Sequence, residues 1–163
     1  MAGSPGINVE TGMISVIIAT KNDEARLARA LASFVTAAVD ALVTEVIVAD
    51  AGSDDATLDV ADDAGARIVK GSIDEAAKLA KASWLLILPA AVGLAQGWED
   101  ALAAHINGPG GAARIGPAGG LWARLTRGRG LGEGLLIDRA LYERIGGWSR
   151  ARGRGRRLGW LNV

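Results

Sequence analysis

Apolar runs and amphipathic stretches alternate along the first two thirds of the chain. Ile14 to Thr20 is an apolar, β-branched run. A parallel strand covered on both faces carries such a run. Leu27, Leu31, Phe34, Val35 and Ala38 then repeat at i, i+4, i+7, i+8 and i+11. That spacing predicts a helix docked by a single stripe, with Asn22 or Asp23 placed to cap it. Glu45 to Asp50 predicts a second strand. Asp54 and Asp55 open a short helix, where carboxylates favour the positive end of the helix dipole. Leu58 and Ala61 would face inward, and Gly65 suits the helix end. Ala66 to Val69 predicts a third strand, Ile73 to Ala82 an alanine-rich helix, and Trp84 to Leu88 a fourth strand. Gln96 to Ile106 reads as a helix with Trp98, Leu102 and Ile106 on one face.

The pattern weakens after that. Residues 107–120, NGPGGAARIGPAGG, read as a Gly/Pro loop, and long loops of this type are functional or disordered. Leu121 to Leu125 and Gly134 to Ile137 are candidate late strands. Arg139 to Ile145 predicts a short helix that stops at Gly146-Gly147. The ending SRARGRGRRLGWLNV is basic and aperiodic. This order predicts an α/β fold: a mainly parallel sheet, helices on both faces and a small late β/α appendage. The expected division is a flexible segment at 1–12, one domain at 13–148 and a basic Gly/Arg-rich tail at 149–163. No internal repeat is visible.

Composition narrows the chemistry. At 163 residues and 50% hydrophobic, the chain can build a real core. Without Cys it has no disulfide, thiolate nucleophile or Cys-ligated zinc. The single His, His105, excludes a multi-histidine metal site and reads as a surface or core residue. The longest apolar stretch, Trp84 to Ala95, is broken by Pro89 and Gly93. It falls short of the roughly 20 residues of a membrane span, and residues 1–12 lack a leader pattern. The expected location is the cytoplasm, at most peripheral to a membrane. Net charge is zero but uneven: residues 1–100 hold 7 Lys and Arg against 15 Asp and Glu, and residues 101–163 hold 11 against 3. Such a dipole serves packing between halves, or turns a basic face toward phosphates, a protein partner or an anionic membrane. One Trp in the tail, Trp160, and one Tyr before it, Tyr142, give little aromatic interleaving, which disfavours nucleic acid.

Six segments then line up: ISVIIATKNDEARLARAL, EVIVADAGSDDAT, GARIV, ASWLLIL, the L-x-x-G-W of Leu94 to Trp98, and GLLIDRALYERIGGW. In order and rough spacing, over about residues 13–148, they resemble family-2 glycosyltransferases of the GT-A fold. The resemblance implies a nucleotide-diphospho-sugar transferase architecture and a nucleoside diphosphate or nucleotide sugar as partner.

Two turns carry the candidate site. The first, Ala19-Thr20-Lys21-Asn22-Asp23-Glu24, matches the family's Pro-Thr-x-Asn-Glu through Thr20, Asn22 and Glu24. In the family this turn lies beside base and ribose. A hydroxyl, an amide and a carboxylate suit those polar edges, and they equally suit a local helix cap. The second, Asp50 to Thr57, keeps Asp50, Gly52, Ser53, Asp55 and Thr57 of Asp-x-Gly-Ser-x-Asp-x-Thr. The resemblance makes Asp50 a hydrogen-bond acceptor for the nucleotide, with Gly52 allowing a tight backbone course. An acidic Mg²⁺ pocket of the phospho-receiver kind would need a second acidic pair at the end of the first strand. Ala19-Thr20 supplies none. Asp54 and Asp55 also fit a plain helix start.

The sequence departs from the family at three places. The family ends its fourth strand with an acid-x-acid motif that holds a divalent metal on the diphosphate. Mg²⁺ or Mn²⁺ prefers oxygen ligands, and Pro89, Ala90 and Ala91 offer no side-chain oxygen. No cofactor is therefore expected. Upstream, where the family has a basic residue and Asn, Gly71-Ser72-Ile73-Asp74-Glu75 is acidic. After Gly146-Gly147-Trp148 comes Ser149-Arg150-Ala151-Arg152, where the family places its catalytic carboxylate. Glu133 is the remaining candidate base. The expected function is nucleotide-sugar transfer by lineage, weak or absent in the isolated chain. The alternative is a noncatalytic nucleotide-binding or protein-interaction module on the same fold.

Overall fold

The computed structural model describes residues 14–39, 42–94, 96–116, 134–154 and 160–162. Among these residues seven strands form one sheet: β1 (Ile14–Thr20), β2 (Val43–Asp50), β3 (Arg67–Lys70), β4 (Trp84–Pro89), β5 (Ala113–Gly116), β6 (Gly134–Asp138) and β7 (Trp160–Asn162). Their order is β3-β2-β1-β4-β6-β5-β7. The pairs β1–β2, β1–β4 and β2–β3 are parallel, as is β5–β7. β6 runs antiparallel to both β4 and β5.

Among the described residues six helices cover the sheet: α1 (Glu24–Val39), α2 (Thr57–Asp63), α3 (Ile73–Leu79), α4 (Trp98–Asn107), α5 (Arg139–Ile145) and α6 (Trp148–Arg154). Strand alternation divides the core between two faces. Val16, Ile18, Val48, Leu86 and Leu88 pack with Leu27, Leu31 and Phe34 of α1, Ala61 of α2 and Trp98 and Leu102 of α4. Ile17, Ile47, Leu85, Ile87 and Ile137 pack with Ala76 and Ala77 of α3, Tyr142 of α5 and Ala151 of α6. Helices thus lie on both faces, as expected. The strands' carboxyl ends form one edge, and Thr20, Asp50, Lys70 and Pro89 finish β1 to β4 there.

Several local expectations are corrected. Val35 does not join the docking stripe of α1, being 65% exposed. Phe34 fills that layer, edge-on to the Trp98 ring at 5.4 Å between centroids. α3 stops at Leu79 rather than Ala82, because the following amides are satisfied elsewhere. Lys81 N–H donates to the Glu45 carboxylate at 2.6 Å, and Ala82 N–H to the Ser15 hydroxyl at 3.1 Å. α4 begins at Trp98 because Gly97 before it is left-handed, with φ 85°. The 107–120 stretch, read as a loop, contains β5, whose Ala113 and Ile115 are buried. The aperiodic ending contributes α6 and β7. The expected strand at Leu121–Leu125 lies outside the described residues.

Candidate functional site

Thr20 and Asp50 are the last residues of β1 and β2, and they are register partners. Both follow the alternation onto the face covered by α1 and α2. Each is buried, Thr20 at 7% and Asp50 at 2% exposure. The two turns beyond them are tied together. Ala51 N–H donates to the Thr20 carbonyl at 3.0 Å. Asn22 N–H donates to the Ser53 hydroxyl at 2.9 Å, and Asp54 N–H to the Asn22 side-chain oxygen at 2.8 Å. Asp23 N–H donates to the Thr57 hydroxyl at 2.9 Å. Asn22 takes a left-handed conformation, φ 49°, to make this bridge. That is a backbone region Asn tolerates better than most residues. Asn22 therefore spends its side chain across the turns and does not cap α1 with it.

The Asp50 carboxylate organises its own turn. It accepts from Gly52 N–H at 3.0 Å, from Ser53 N–H at 3.0 Å and from the Ser53 hydroxyl. Gly52 has φ 96°, which explains the glycine there. Burial pushes the Asp50 carboxyl up, but the Ser53 hydroxyl, the Ser53 and Gly52 amides and the Lys70 charge outweigh it. The group is held below the ordinary carboxylate range. It is a buried anion at neutral pH. The Thr20 hydroxyl beside it is buried and has no hydrogen-bond partner.

The other candidates divide. Asp55 accepts from the Thr57 hydroxyl and, at 3.0 Å, from Thr57 N–H. The Thr57 hydroxyl bond, against burial, and further amides lower its pKa. Asp55 lies just before the Ala56 cap of α2, and the Glu24 amide across the turns also holds its carboxylate. Glu24 is exposed on the first turn of α1. Glu133 lies outside the described residues. The structure thus joins Thr20, Asn22, Asp50 and Ser53 and sets Glu24 and Asp55 at their margin.

The opposite side of the edge is built differently. Ala90 N–H donates to the Ala19 carbonyl at 3.0 Å, and Val92 N–H to the Pro89 carbonyl at 3.0 Å. This tight turn drops Ala90 and Val92 into the core, at 5% and 6% exposure. The Pro89–Ala91 positions do not fit a metal centre, since they bring no donor side chain. Among the described residues no three His, Asp or Glu side chains cluster to hold one.

Asp74 was missed as a structural residue. It accepts from the Tyr142 hydroxyl and from Trp148 N–H at 2.8 Å, joining α3 to the turn between α5 and α6. A Cβ on Gly147, whose φ is 87°, would lie 2.5 Å from the Asp74 carboxylate. Burial, and then Asp74's hydrogen bond and charge, push the Tyr142 phenol far above its usual range. The only sequence signal was an acid in a segment where phosphate binding would want a base. Glu75 closes a capping box, its carboxylate accepting from Ser72 N–H at 2.6 Å while its own N–H reaches the Ser72 hydroxyl at 3.2 Å. His105 stands edge-on to Trp84 at 6.5 Å between ring centroids. A groove of about 710 Å³ between α1, α2 and the start of β2 is mostly apolar and lies at the other end of the sheet.

A polar cluster at the carboxyl edge of a β-α-β-α sheet has clear parallels. The family model described as glycosyl transferase family 2 matches residues 15–86. The sequence likeness to family-2 glycosyltransferases thus runs from β1 into β4. Solved structures agree on the GT-A architecture. Glucosyl-3-phosphoglycerate synthase from Mycobacterium tuberculosis, in complex with Mn²⁺, uridine diphosphate and glucosyl-3-phosphoglycerate, is 21% identical. That match covers 100% of this chain and 77% of the synthase, with a TM-score of 0.67. Mannosyl-3-phosphoglycerate synthase from Rubrobacter xylanophilus is 14% identical over 93% of this chain and 67% of that one, with a TM-score of 0.65. The mycobacterial enzyme has also been solved with Mg²⁺ and uridine diphosphate. No curated protein sequence matches the chain significantly. Among the described residues no helix is long and apolar enough to cross a membrane.

Proposed function

We propose that this chain is a family-2 glycosyltransferase relative that binds a nucleoside diphosphate or nucleotide sugar at the edge formed by Thr20, Asn22, Asp50 and Ser53. Sugar transfer by the isolated chain is weak or absent. The observation that carries the reading is the pairing of a buried, ionised Asp50 with a buried Thr20 hydroxyl that lacks a partner. A buried polar group without a partner costs stability, and a ligand would supply the missing bond. The bound nucleotides of the similar mycobacterial structures support the choice of ligand.

The weakness of transfer follows from the residues at Pro89, Ala90 and Ala91. In a metal-assisted reaction the cation offsets charge on the leaving diphosphate, and these positions bring no ligand to it. Glu133 remains the candidate base. A thermal-shift screen of uridine and guanosine diphosphates, with and without Mn²⁺, tests the reading. Binding to the folded state alone raises stability by about 2.7 kcal/mol at a hundredfold excess over Kd. A flat response to every nucleotide would refute it. Rapid Mn²⁺-dependent consumption of a nucleotide sugar would refute the claim of weak transfer.

A further inference from the structure

We infer that this edge recognises the nucleoside alone and gains nothing from a diphosphate or a divalent metal. The inference rests on the nucleotide-binding reading above and sharpens it. The nucleoside side of the edge is equipped for a neutral polar ligand. The Thr20 hydroxyl can donate and accept, and it is unpartnered and more than nine-tenths buried. The Asp50 carboxylate has about four lone-pair sites in all, and Gly52 N–H, Ser53 N–H to both oxygens and the Ser53 hydroxyl engage them, so Asp50 fixes the turn and its negative charge beside Thr20. A base edge or a ribose presents both N–H or O–H donors and oxygen acceptors, either of which the Thr20 hydroxyl can match.

The phosphate side is closed by its own side chains. Two of the donors at the start of α3, Ser72 N–H and Glu75 N–H, are consumed within the capping box by the Glu75 carboxylate and the Ser72 hydroxyl. Asp74 is committed to Tyr142 and Trp148. The Pro89–Ala91 turn buries Ala90 against the core. Charge points the same way. In the turns after β1, β2 and β3, Asp23, Glu24, Asp54, Asp55, Asp74 and Glu75 join Asp50. Among the described residues, Lys21, Arg26 and Lys70 are the cations at these strand ends and helix starts, and Arg26 already lies 3.4 Å from Asp23. Charges within a screening length of roughly 8–10 Å act together. The net negative charge of these described residues therefore opposes a polyanion and leaves a neutral nucleoside unaffected.

Calorimetric titration of the full chain decides the matter. Uridine, its monophosphate and its diphosphate, and the same three guanosine compounds, are titrated in EDTA and again with Mn²⁺. Within the series that binds, dissociation constants should agree within about threefold, and Mn²⁺ should change none by more than that. A diphosphate about tenfold tighter than its nucleoside, or tightened about tenfold by Mn²⁺, overturns the inference and leaves the nucleotide-binding reading standing. No binding by any of the six compounds overturns both. Thr20→Val, checked for folding by circular dichroism, should weaken every member of the bound series alike, by about fivefold for one lost hydrogen bond. An effect confined to the diphosphate, or no effect, contradicts it.

Discussion

The turns after β1 and β2 and the turns after β3 and β4 share one edge of one sheet, yet they spend their polar groups in opposite ways. The first pair cross-links through Asn22, Ser53 and Thr57 and leaves the Thr20 hydroxyl unpaired. The second pair turns inward. Glu75 caps its own helix, Asp74 anchors the turn before α6, and Pro89-Ala90 folds into the core. The first region is also the richer in polar residues, since Pro89, Ala90 and Ala91 at the end of β4 are apolar. What further differs is whether their hydrogen bonds are already closed within the protein, and only an open bond can hold a ligand.

The largest effect should come from Asp50→Ala. It strands the Gly52 and Ser53 donors in a buried turn, so the loss should be about 1.5–3 kcal/mol, read from urea denaturation. A change near zero would remove Asp50 from the centre of the first region. Asp74→Ala should cost slightly less, about 1–3 kcal/mol, because it orphans the Tyr142 hydroxyl and the Trp148 amide. Its nucleoside affinity should match wild type. If affinity falls as it does in Thr20→Val, the two regions are not separate.

Acid sharpens the contrast next. The folded pKa of Asp50 is depressed below its unfolded value. Its contribution is thus fully present above the unfolded value of about 3.9 and is lost as pH falls through the folded one. The exposed Asp55 and Glu75 are shifted the same way, with smaller consequences because solvent screens them. Denaturation midpoints should fall as pH drops below about 4, and Asp50→Asn should flatten that fall. The smallest effect should come from Ala91→Asp. Ala91 is exposed, so stability should change by no more than about 0.5 kcal/mol. Mn²⁺ binding, followed by electron paramagnetic resonance, should be weak at most, since one carboxylate supplies few of the roughly six oxygens a hard cation takes.

The first four strands and the helices between them were legible because each carries a long apolar period, and only their ends moved. β5 was hidden because ARIG is four residues inside a glycine-rich stretch, and pairing with β6 rather than local pattern makes it a strand. β7 was hidden for the same reason, its partner being β5. Thr20, Asn22, Asp50 and Ser53 were legible as a motif spaced along two turns. The role of Asp74 was not, because its partners lie about 70 residues away. The early stop of α3 likewise depends on Glu45 and Ser15, which no local reading of Ala80 to Ala82 could supply.

Backbone amide mapping tests the central claim most directly. Isotope-labelled protein is titrated with uridine, and separately with guanosine, and the amide resonances are followed. Shifts should concentrate in Thr20 to Glu24 and Asp50 to Thr57 and leave Ser72 to Glu75 and Ala90 to Val92 nearly still. Shifts centred on the α1–α2 groove around Val35 and Val60, or on the Ser72–Glu75 turn, would contradict the account.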